Sequence, residues 1–104
     1  MSYKIVVYVP LENADDVREA IARAGGGKLG KYSFCSFSTR GIGRFKPGEG
    51  AEPHIGKIGE LEKVEEERIE VTCTNEVVGS VIAAIKQAHP YEEIAMDVYE
   101  RTEW

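Results

Sequence analysis

The chain has few of the features that mark secreted or membrane proteins. It contains only two cysteines among 104 residues, too few and too far apart for a disulfide framework. No apolar run approaches the length that spans a bilayer, and the first residues lack the charged and then apolar build of a signal peptide. We therefore expect a cytoplasmic protein without a membrane association, in which Cys35 and Cys73 are buried, unlinked thiols.

Basic residues are also in the minority. The chain has 13 lysines and arginines against 18 acidic residues, a net charge of -5, and no basic run. A nucleic-acid backbone is therefore a poor partner on electrostatic grounds. Hydrophobic residues make up 42% of the chain, which is ordinary for a globular protein, and the length suffices for one core. We expect a single domain, residues 1–104.

Hydrophobic periodicity predicts alternating strands and helices. β-Branched and aromatic runs favour strands, and apolar residues at helical spacing favour helices. Asn13 is expected to cap the first helix and Thr74 or Asn75 the second. The predicted elements are strands at 3–9, 32–39, 64–74 and 94–99, and helices at 14–24 and 76–88.

Three glycines follow the first predicted helix. The stretch from Gly25 to Lys31 has the glycine and lysine spacing of a phosphate-binding loop. Tyr32 stands where that loop needs a hydroxyl residue that binds magnesium, and the stretch leads from a helix into a strand, the reverse of a phosphate loop. We interpret the glycines as a helix stop.

This order of elements predicts a ferredoxin-like α+β sandwich, with a βαββαβ order and both helices on one face of an antiparallel four-stranded sheet. The first strand is apolar on both faces, since Val6 and Tyr8 alternate with Ile5, Val7 and Val9. An exposed aliphatic side chain forgoes roughly 1.5–3 kcal/mol of burial. The second face is therefore predicted to be covered by self-association.

A long segment rich in glycine and proline, about residues 40–61, interrupts the pattern between two strands, and residues 41–45 within it are a candidate short strand. Segments of this length in a compact domain are usually functional or mobile. Arg44, Lys46 and His54 lie in it and are candidate ligand-binding residues. The charged run that follows, residues 60–68, is expected to be solvated.

The densest set of functional side chains is His89-Pro90-Tyr91-Glu92-Glu93. Pro90 ends the second helix and makes this junction a fixed corner. His89 and Glu92, with His54 or with residues of a neighbouring subunit, are candidate ligands for a metal ion, and Tyr91 is a candidate ligand contact. The favoured interpretation of His89 is structural, with the ring satisfying open carbonyls at the helix end. No catalytic set is visible.

Motifs along most of the chain resemble the insert domain of the YqfO (Nif-three-like) proteins. The matching stretches are residues 30–37, 41–47, 49–50, 53–56, 62–66, 68–70 and 89–99. In the larger relatives this module interrupts a domain that carries a dinuclear metal centre. That domain is not among these 104 residues, so its metal ligands are not carried over, and the chain is expected to be a stand-alone homologue of the module.

The His-Pro-Tyr-Glu corner and the order of elements also resemble CutA, a divalent-cation-tolerance protein, and the PII signalling proteins. Those relatives are trimers of ferredoxin-like subunits whose sheets face inward. The resemblance therefore implies a PII/CutA-like fold and a homo-oligomer, with a trimer favoured.

Three hypotheses about function follow. The first is a non-enzymatic oligomeric module that binds a metal ion or small ligand between subunits, in a regulatory or metal-homeostasis role. A divalent metal ion is the candidate cofactor. The second is a structural or protein-interaction module that works with a separately encoded dinuclear-metal partner. The third and weakest is a metal-dependent hydrolase.

Overall fold

The computed structural model describes residues 1–102 and has the predicted order of strands and helices. The three strand pairings are antiparallel and give one four-stranded sheet in the order β2-β3-β1-β4. This is the predicted ferredoxin-like α+β sandwich. Its elements are β1 (Ser2–Pro10), α1 (Leu11–Arg23), β2 (Phe37–Phe45), β3 (Glu62–Thr74), α2 (Val78–Ala88) and β4 (Met96–Arg101).

The core lies between one face of the sheet and the two helices. Side chains alternate along a strand, so every second residue of β1 faces the helices. The apolar stripes of both helices meet this face. The core residues shared by β1, β3, α1 and α2 are Ile5, Val7, Val9, Ala14, Val17, Ile21, Ile69, Val71, Cys73, Val81 and Ile85. No helix within residues 1–102 is long and apolar enough to cross a membrane.

The predicted caps of both helices are wrong. α1 begins at Leu11, directly after Pro10, and neither helix has a side-chain cap. Pro10 has no N–H to satisfy and its φ of −55° suits a helix start, so the strand passes into the helix without a separate cap. Asn13 consequently lies inside the first turn.

The second helix begins at Val78, later than predicted. Thr74 stays in the sheet, opposite Ser2, and therefore does not act as the cap. The N–H of Asn75 donates to the carbonyl of Met1 at 3.1 Å, which holds that residue outside the helix. Val77 occupies the cap position.

The glycine helix stop is confirmed. Gly25 has a φ of +102°, a left-handed conformation that glycine adopts without strain. The N–H of Gly26 donates to the carbonyl of Ile21 and that of Gly25 to the carbonyl of Ala22, both at 3.0 Å. This pair of bonds is the Schellman arrangement that closes a helix end.

β2 lies further along the chain than predicted. Leu29 and Tyr32 pair with each other through two backbone hydrogen bonds of 2.9 and 3.0 Å, so the chain around them forms a tight turn outside the sheet. The strand begins at Phe37 and continues through Gly41 and Gly43 to Phe45. Residues 41–45, where a short strand was the expected alternative, belong to β2, so the segment without regular structure is 46–61.

The open face of the sheet is not the apolar surface that the sequence predicted. Val6 is only 1% exposed within the single chain. Its partner across the β1–β3 pair, Glu70, is bridged by both Lys4 and Arg68, and these long side chains share the face of Val6. The burial of Val6 thus needs no second subunit, and this particular argument for self-association fails.

Candidate functional site

The corner after α2 lies at one end of the sheet, beside the end of β1 and the segment that follows β2. His89 ends the helix with an extended backbone, φ −79° and ψ 135°, while its N–H still donates to Ile85 at 2.9 Å. Extended geometry is what Pro90 imposes on the residue before it. The predicted fixed corner is therefore present, and it directs the next residues back across the sheet.

His89 is locked into this corner by both ring nitrogens. Nε2 donates to the carbonyl oxygen of Tyr8 at 2.7 Å, and Nδ1 accepts from the N–H of Tyr91 at 3.1 Å. The residue is 6% exposed. Burial lowers the pKa of His89, against the opposing effects of the Tyr8 carbonyl and the nearby charge of Glu66. The ring therefore favours the neutral form.

This geometry supports a structural role for His89, but the partner of its ring differs from the one that the sequence predicted. The sequence interpretation directed the ring toward open carbonyls at the end of α2. The ring instead bonds the carbonyl of Tyr8, at the far end of the neighbouring strand. It thus joins two elements that are distant in sequence.

Tyr91 is the centre of an aromatic cluster. Its ring lies 5.8 Å from that of Phe45, 6.3 Å from that of His54 and 5.0 Å from that of His89, measured between centroids. Its hydroxyl donates to Oε2 of Glu66 at 3.2 Å. Burial, reinforced by the charge of Glu66, raises the pKa of Tyr91, so the phenol stays protonated and remains a donor.

Glu66 is a site residue that the sequence analysis missed. It lies in the charged run that was expected to be solvated, yet Glu66 and Glu67 are each only 9% exposed. Glu67 binds Arg18 on the helix side of the sheet, whereas Glu66 faces the corner on the other side. The acidic run carried no signal for Glu66, because Glu66 and Glu67 are consecutive and are buried on opposite faces of β3.

Residues 46–61 fold back over the corner. The N–H of Gly59 donates to the carbonyl of Pro47 at 2.8 Å and closes the segment at its base. The N–H of Glu52 donates to Oε2 of Glu92 at 2.6 Å and ties the segment to the corner. Together these bonds enclose the corner pocket, a cavity of about 470 Å³ lined by Phe45, Lys46, Pro47, Gly50, Ala51, Pro53, His54, Ile55, Tyr91, Glu92 and Glu93.

The structure brings most of the predicted site residues together. Lys46, His54, Tyr91 and Glu92 all line the corner pocket. Arg44 does not, since it borders a separate groove beyond the Phe45 and Tyr91 rings. His89 lies behind Tyr91 and does not line the pocket.

The predicted metal ligands do not form a complete set within one chain. Among residues 1–102 no three histidine, cysteine or acidic side chains come close enough to hold an ion. The lone pair of Nδ1 in His89 is already engaged by the Tyr91 N–H. A metal site at this corner would therefore use His54 and Glu92 together with ligands from another subunit.

Solved structures with low sequence identity place the chain in the CutA/PII fold class. The divalent cation tolerance protein CutA of Archaeoglobus fulgidus is 18% identical, with a TM-score of 0.69 over 100% of this chain and 87% of that one. GlnK of Bacillus subtilis, a PII protein solved with ATP, is 13% identical, with a TM-score of 0.63 over 94% of this chain and 79% of that one. At these identities the likeness shows the fold alone.

Sequence similarity is much higher to NIF3-related proteins. The chain is 53% identical over 97 residues to the GTP cyclohydrolase 1 type 2 homolog of Halalkalibacterium halodurans, covering 93% of this chain and 26% of that protein. A NIF3-related protein of Bacillus cereus, solved as a crystal structure, is 47% identical with a TM-score of 0.81, covering 94% of this chain and 25% of that one.

These relatives confirm the resemblance to the Nif-three-like proteins. The chain is a homologue of one segment of them and spans about a quarter of the length of the curated relatives it matches. No protein-family model matches the chain.

Proposed function

We propose that the chain is a non-enzymatic, oligomeric CutA/PII-like module that binds a small ligand in the corner pocket, in a regulatory role within the cytoplasm. The observation that carries this proposal is the folding of residues 46–61 over Tyr91, held by the bond from Glu52 to Glu92. A volume of about 470 Å³ is in the range of small-molecule sites. Aromatic walls with a few polar groups are also typical of such sites.

The chemistry of the pocket suits a ligand with a flat apolar part and polar groups of both signs, because Lys46 and His54 line it together with Glu92 and Glu93. Phe45 and Tyr91 provide ring surfaces, while Lys46 and His54 provide cationic or hydrogen-bonding groups at the rim. A bound ligand would fix the position of the 46–61 segment. The proposed regulatory output is this change in the segment, transmitted between subunits.

In an alternative form of the proposal, the chain binds a divalent metal ion and acts in metal homeostasis. This form rests on His54 and Glu92. It requires an oligomer, because a stable site needs three or four ligands and one chain supplies too few here. Arg44 lies on the far side of Phe45, so within one chain it would contact neither a small ligand nor a metal ion in the corner pocket. It would contribute only from a neighbouring subunit.

Native mass spectrometry and elemental analysis of untagged protein test both forms. GTP is a first probe because the relatives are named GTP cyclohydrolase 1 type 2 homologs, and Zn²⁺ is the metal probe. Ligand binding predicts a saturable rise in melting temperature with one probe, and its loss in Lys46→Ala or His54→Ala. Lys57→Ala, an exposed lysine of the same segment, is the control. Co-purified material or probe binding that survives both substitutions would contradict the corner pocket as the site.

A protein-interaction module that acts with a separately encoded metal-centre protein is the second candidate. Its support is a set of exposed hydrophobic residues between α1 and the start of β2. Leu29, Tyr32, Phe34 and Phe37 are each between 62% and 75% exposed. Sedimentation with a NIF3-related protein from which the matching quarter is deleted tests it, and Phe34→Ser should abolish a complex. A metal-dependent hydrolase has the least support, because residues 1–102 hold no three-ligand cluster.

A further inference from the structure

A second groove, on the open face of the sheet, has a buried carboxylate at its floor. It measures about 440 Å³ and lies beyond the Phe45 and Tyr91 rings from the corner pocket. The groove exists because Gly41 and Gly43 present no side chains on this face of β2. A Cβ at residue 43 would overlap Oε1 of Glu66 and lie 2.6 Å from its Cδ. Glycine at this position therefore makes room for the carboxylate.

Glu66 has no cationic partner within the part of the chain that the structure describes. No lysine, arginine or histidine nitrogen of residues 1–102 lies within 4.0 Å of its carboxylate, although the residue is only 9% exposed. Its neighbours on β3 differ: Glu67 binds Arg18, and Glu70 binds Lys4. A buried carboxylate normally has such a partner, because an unpaired buried charge is costly.

Within residues 1–102, only one of the two oxygens of this carboxylate accepts a hydrogen bond. Tyr91 donates its hydroxyl to Oε2, whereas no described donor bonds Oε1. Oε1 is also the atom nearest the Cβ position of Gly43, so it points toward the bare part of β2. Oε1 is not among the buried atoms that lack a partner, so this acceptor oxygen is open to the groove and to a ligand in it.

The surroundings of Glu66 favour a positively charged donor. Tyr8, Phe45 and Tyr91 contribute aromatic rings to the groove, and Glu93 adds a second carboxylate. Arg68 lines the groove but is engaged, with Nε 3.3 Å from Glu70 and Nη1 3.0 Å from the Tyr8 hydroxyl.

Two further arginines border the groove from β2. Arg40 and Arg44 alternate with the two glycines, so their side chains leave the strand on the opposite face. Among the residues that line the groove, the acidic side chains on its open side are Glu66 and Glu93, and neither forms a salt bridge within residues 1–102.

The ring of Tyr8 is already covered by the guanidinium of Arg68, 5.7 Å from its centroid. We propose that this groove binds a small organic cation, an alkylammonium or guanidinium compound, whose charged head donates to Oε1 of Glu66 and lies against the ring of Tyr91. Hydrogen bonds to an ionised carboxylate are stronger than neutral ones, and ring faces attract such cations. The same head group is carried by lysine or arginine of a second copy. The free compound is favoured because the residues beside the groove form the Lys4–Glu70–Arg68 ion pairs, and the core of a protein interface is normally depleted in charged residues.

This inference goes beyond the proposed function, since the groove and the corner pocket are separate cavities. Titrations followed by amide NMR, at constant ionic strength, use n-butylammonium and methylguanidinium as probes. Neutral n-butanol and anionic acetate are the comparison compounds. The expected result is saturable binding of at least one cation, with shifts at Gly41, Gly43 and Tyr91, and no saturable shifts there with the comparison compounds.

Glu66→Gln tests the role of the charge. Glutamine keeps the shape of the side chain and an oxygen for the Tyr91 hydroxyl, so the fold should persist, and affinity should fall about tenfold or more. Glu65→Gln is the matched control, because Glu65 is exposed on the other face of the same strand. Gly43→Ala should also abolish binding by displacing the carboxylate; its melting temperature shows whether the fold survives.

Three results would overturn the proposal. The first is the absence of saturable cation binding by the folded wild-type protein. The second is equal affinity in wild type and Glu66→Gln. The third is a drop in oligomer mass in Glu66→Gln without any probe binding to wild type, which would assign the groove to a side chain of a second copy.

Discussion

The Nε2 atom of His89 lies 2.7 Å from the carbonyl oxygen of Tyr8, so the corner after α2 is tied to the end of β1. His89→Ala removes this bond and the acceptor for the Tyr91 N–H. We expect the free energy of unfolding to fall by about 1–3 kcal/mol, because two buried polar groups lose their partner. Urea denaturation measures this loss. His54→Ala replaces an exposed histidine and should change the free energy of unfolding by less than about 0.5 kcal/mol.

The same contact predicts a pH dependence. Burial holds the pKa of folded His89 below its ordinary value of 6.5, so the unfolded chain binds more protons in the interval between the two values. The stability contributed by the neutral ring is therefore complete above pH 6.5 and is lost as the pH falls toward the folded pKa. Denaturation at pH 7.5 and 5 should show a larger loss in wild type than in His89→Ala. Parallel losses in the two proteins would contradict this assignment.

Much of the fold was predictable because its signals are local. Each signal acts over a few residues. The signals are the β-branched runs of β1 and β3, the apolar stripes of both helices and the glycine stop at Gly25. The start of β2 was not predictable, because residues 32–36 have strand-like side chains but Tyr32 forms its backbone bonds with Leu29. A turn of this kind depends on backbone geometry that composition does not reveal.

The candidate site was predictable only in part. Tyr91 and Glu92 follow Pro90, a strong local signal, and His54 stands out in the glycine-rich segment. Glu66 looks like any charge in an acidic run. Its burial results from Gly43 on the neighbouring strand, a pairing that depends on the β2–β3 register.

Two substitutions of Tyr91 should separate the contribution of its ring to stability from that of its hydroxyl. Tyr91→Ala removes contacts with the rings of Phe45, His54 and His89, and we expect a loss of about 2–4 kcal/mol in unfolding free energy and weaker assembly. Tyr91→Phe removes only the bond to Glu66 and should cost about 1 kcal/mol. Calorimetry and light scattering give both readouts. A larger loss for phenylalanine than for alanine would refute the packing role.

Arg18 should stabilise the fold through Glu67. Arg18 binds Glu67, Asp15 and the hydroxyl of Ser38, and the Glu67 carboxylate is largely buried. Arg18→Ala leaves that carboxylate without its partner, so we expect a loss of about 2 kcal/mol, measured by urea denaturation.

Arg23→Ala is the matched control for Arg18, because it breaks a pair with Glu19 on the exposed side of the same helix. It should cost less than about 0.5 kcal/mol. The double variant Arg18→Ala/Glu67→Ala should be less destabilised than the sum of its single variants. Additive losses would mean that the two side chains are not coupled.

The two thiols should be free but unequal in reactivity. Both are unlinked in the structure, although the β2–β3 register, with Phe37 opposite Glu70, brings Cys35 level with Thr72. Cys73 is 4% exposed and burial raises the pKa of its thiol.

Thiol titration of the native protein should therefore modify Cys35 quickly and Cys73 slowly. The denatured, unreduced protein should give two thiols per chain. Cys35→Ser isolates the slow reaction, and Cys73→Ser the fast one. Equal native rates in these two variants would contradict the buried state of Cys73.

Self-association stays a prediction, but its physical basis moves from Val6 of β1 to exposed apolar side chains of the outer strands. β2 and β4 are the outer strands of the described sheet, and each presents exposed apolar side chains. Ile42 is 54% exposed on β2, and Tyr99 is 54% exposed on β4. Edge strands also offer unpaired backbone groups to another copy. We expect a homo-oligomer, with a trimer of about three times the 11.5 kDa chain favoured by the CutA/PII-like fold.

Multi-angle light scattering at micromolar concentration measures this mass. Ile42→Lys places a charge on the β2 edge and should shift the protein toward the monomer, because an uncompensated charge in an interface opposes association. Ile58→Lys changes a similarly exposed isoleucine in the 46–61 segment and should leave the mass unchanged. A wild-type mass of 11.5 kDa would refute self-association itself. An oligomer that persists in Ile42→Lys and dissociates in Ile58→Lys would instead place the contact on the segment over the corner pocket.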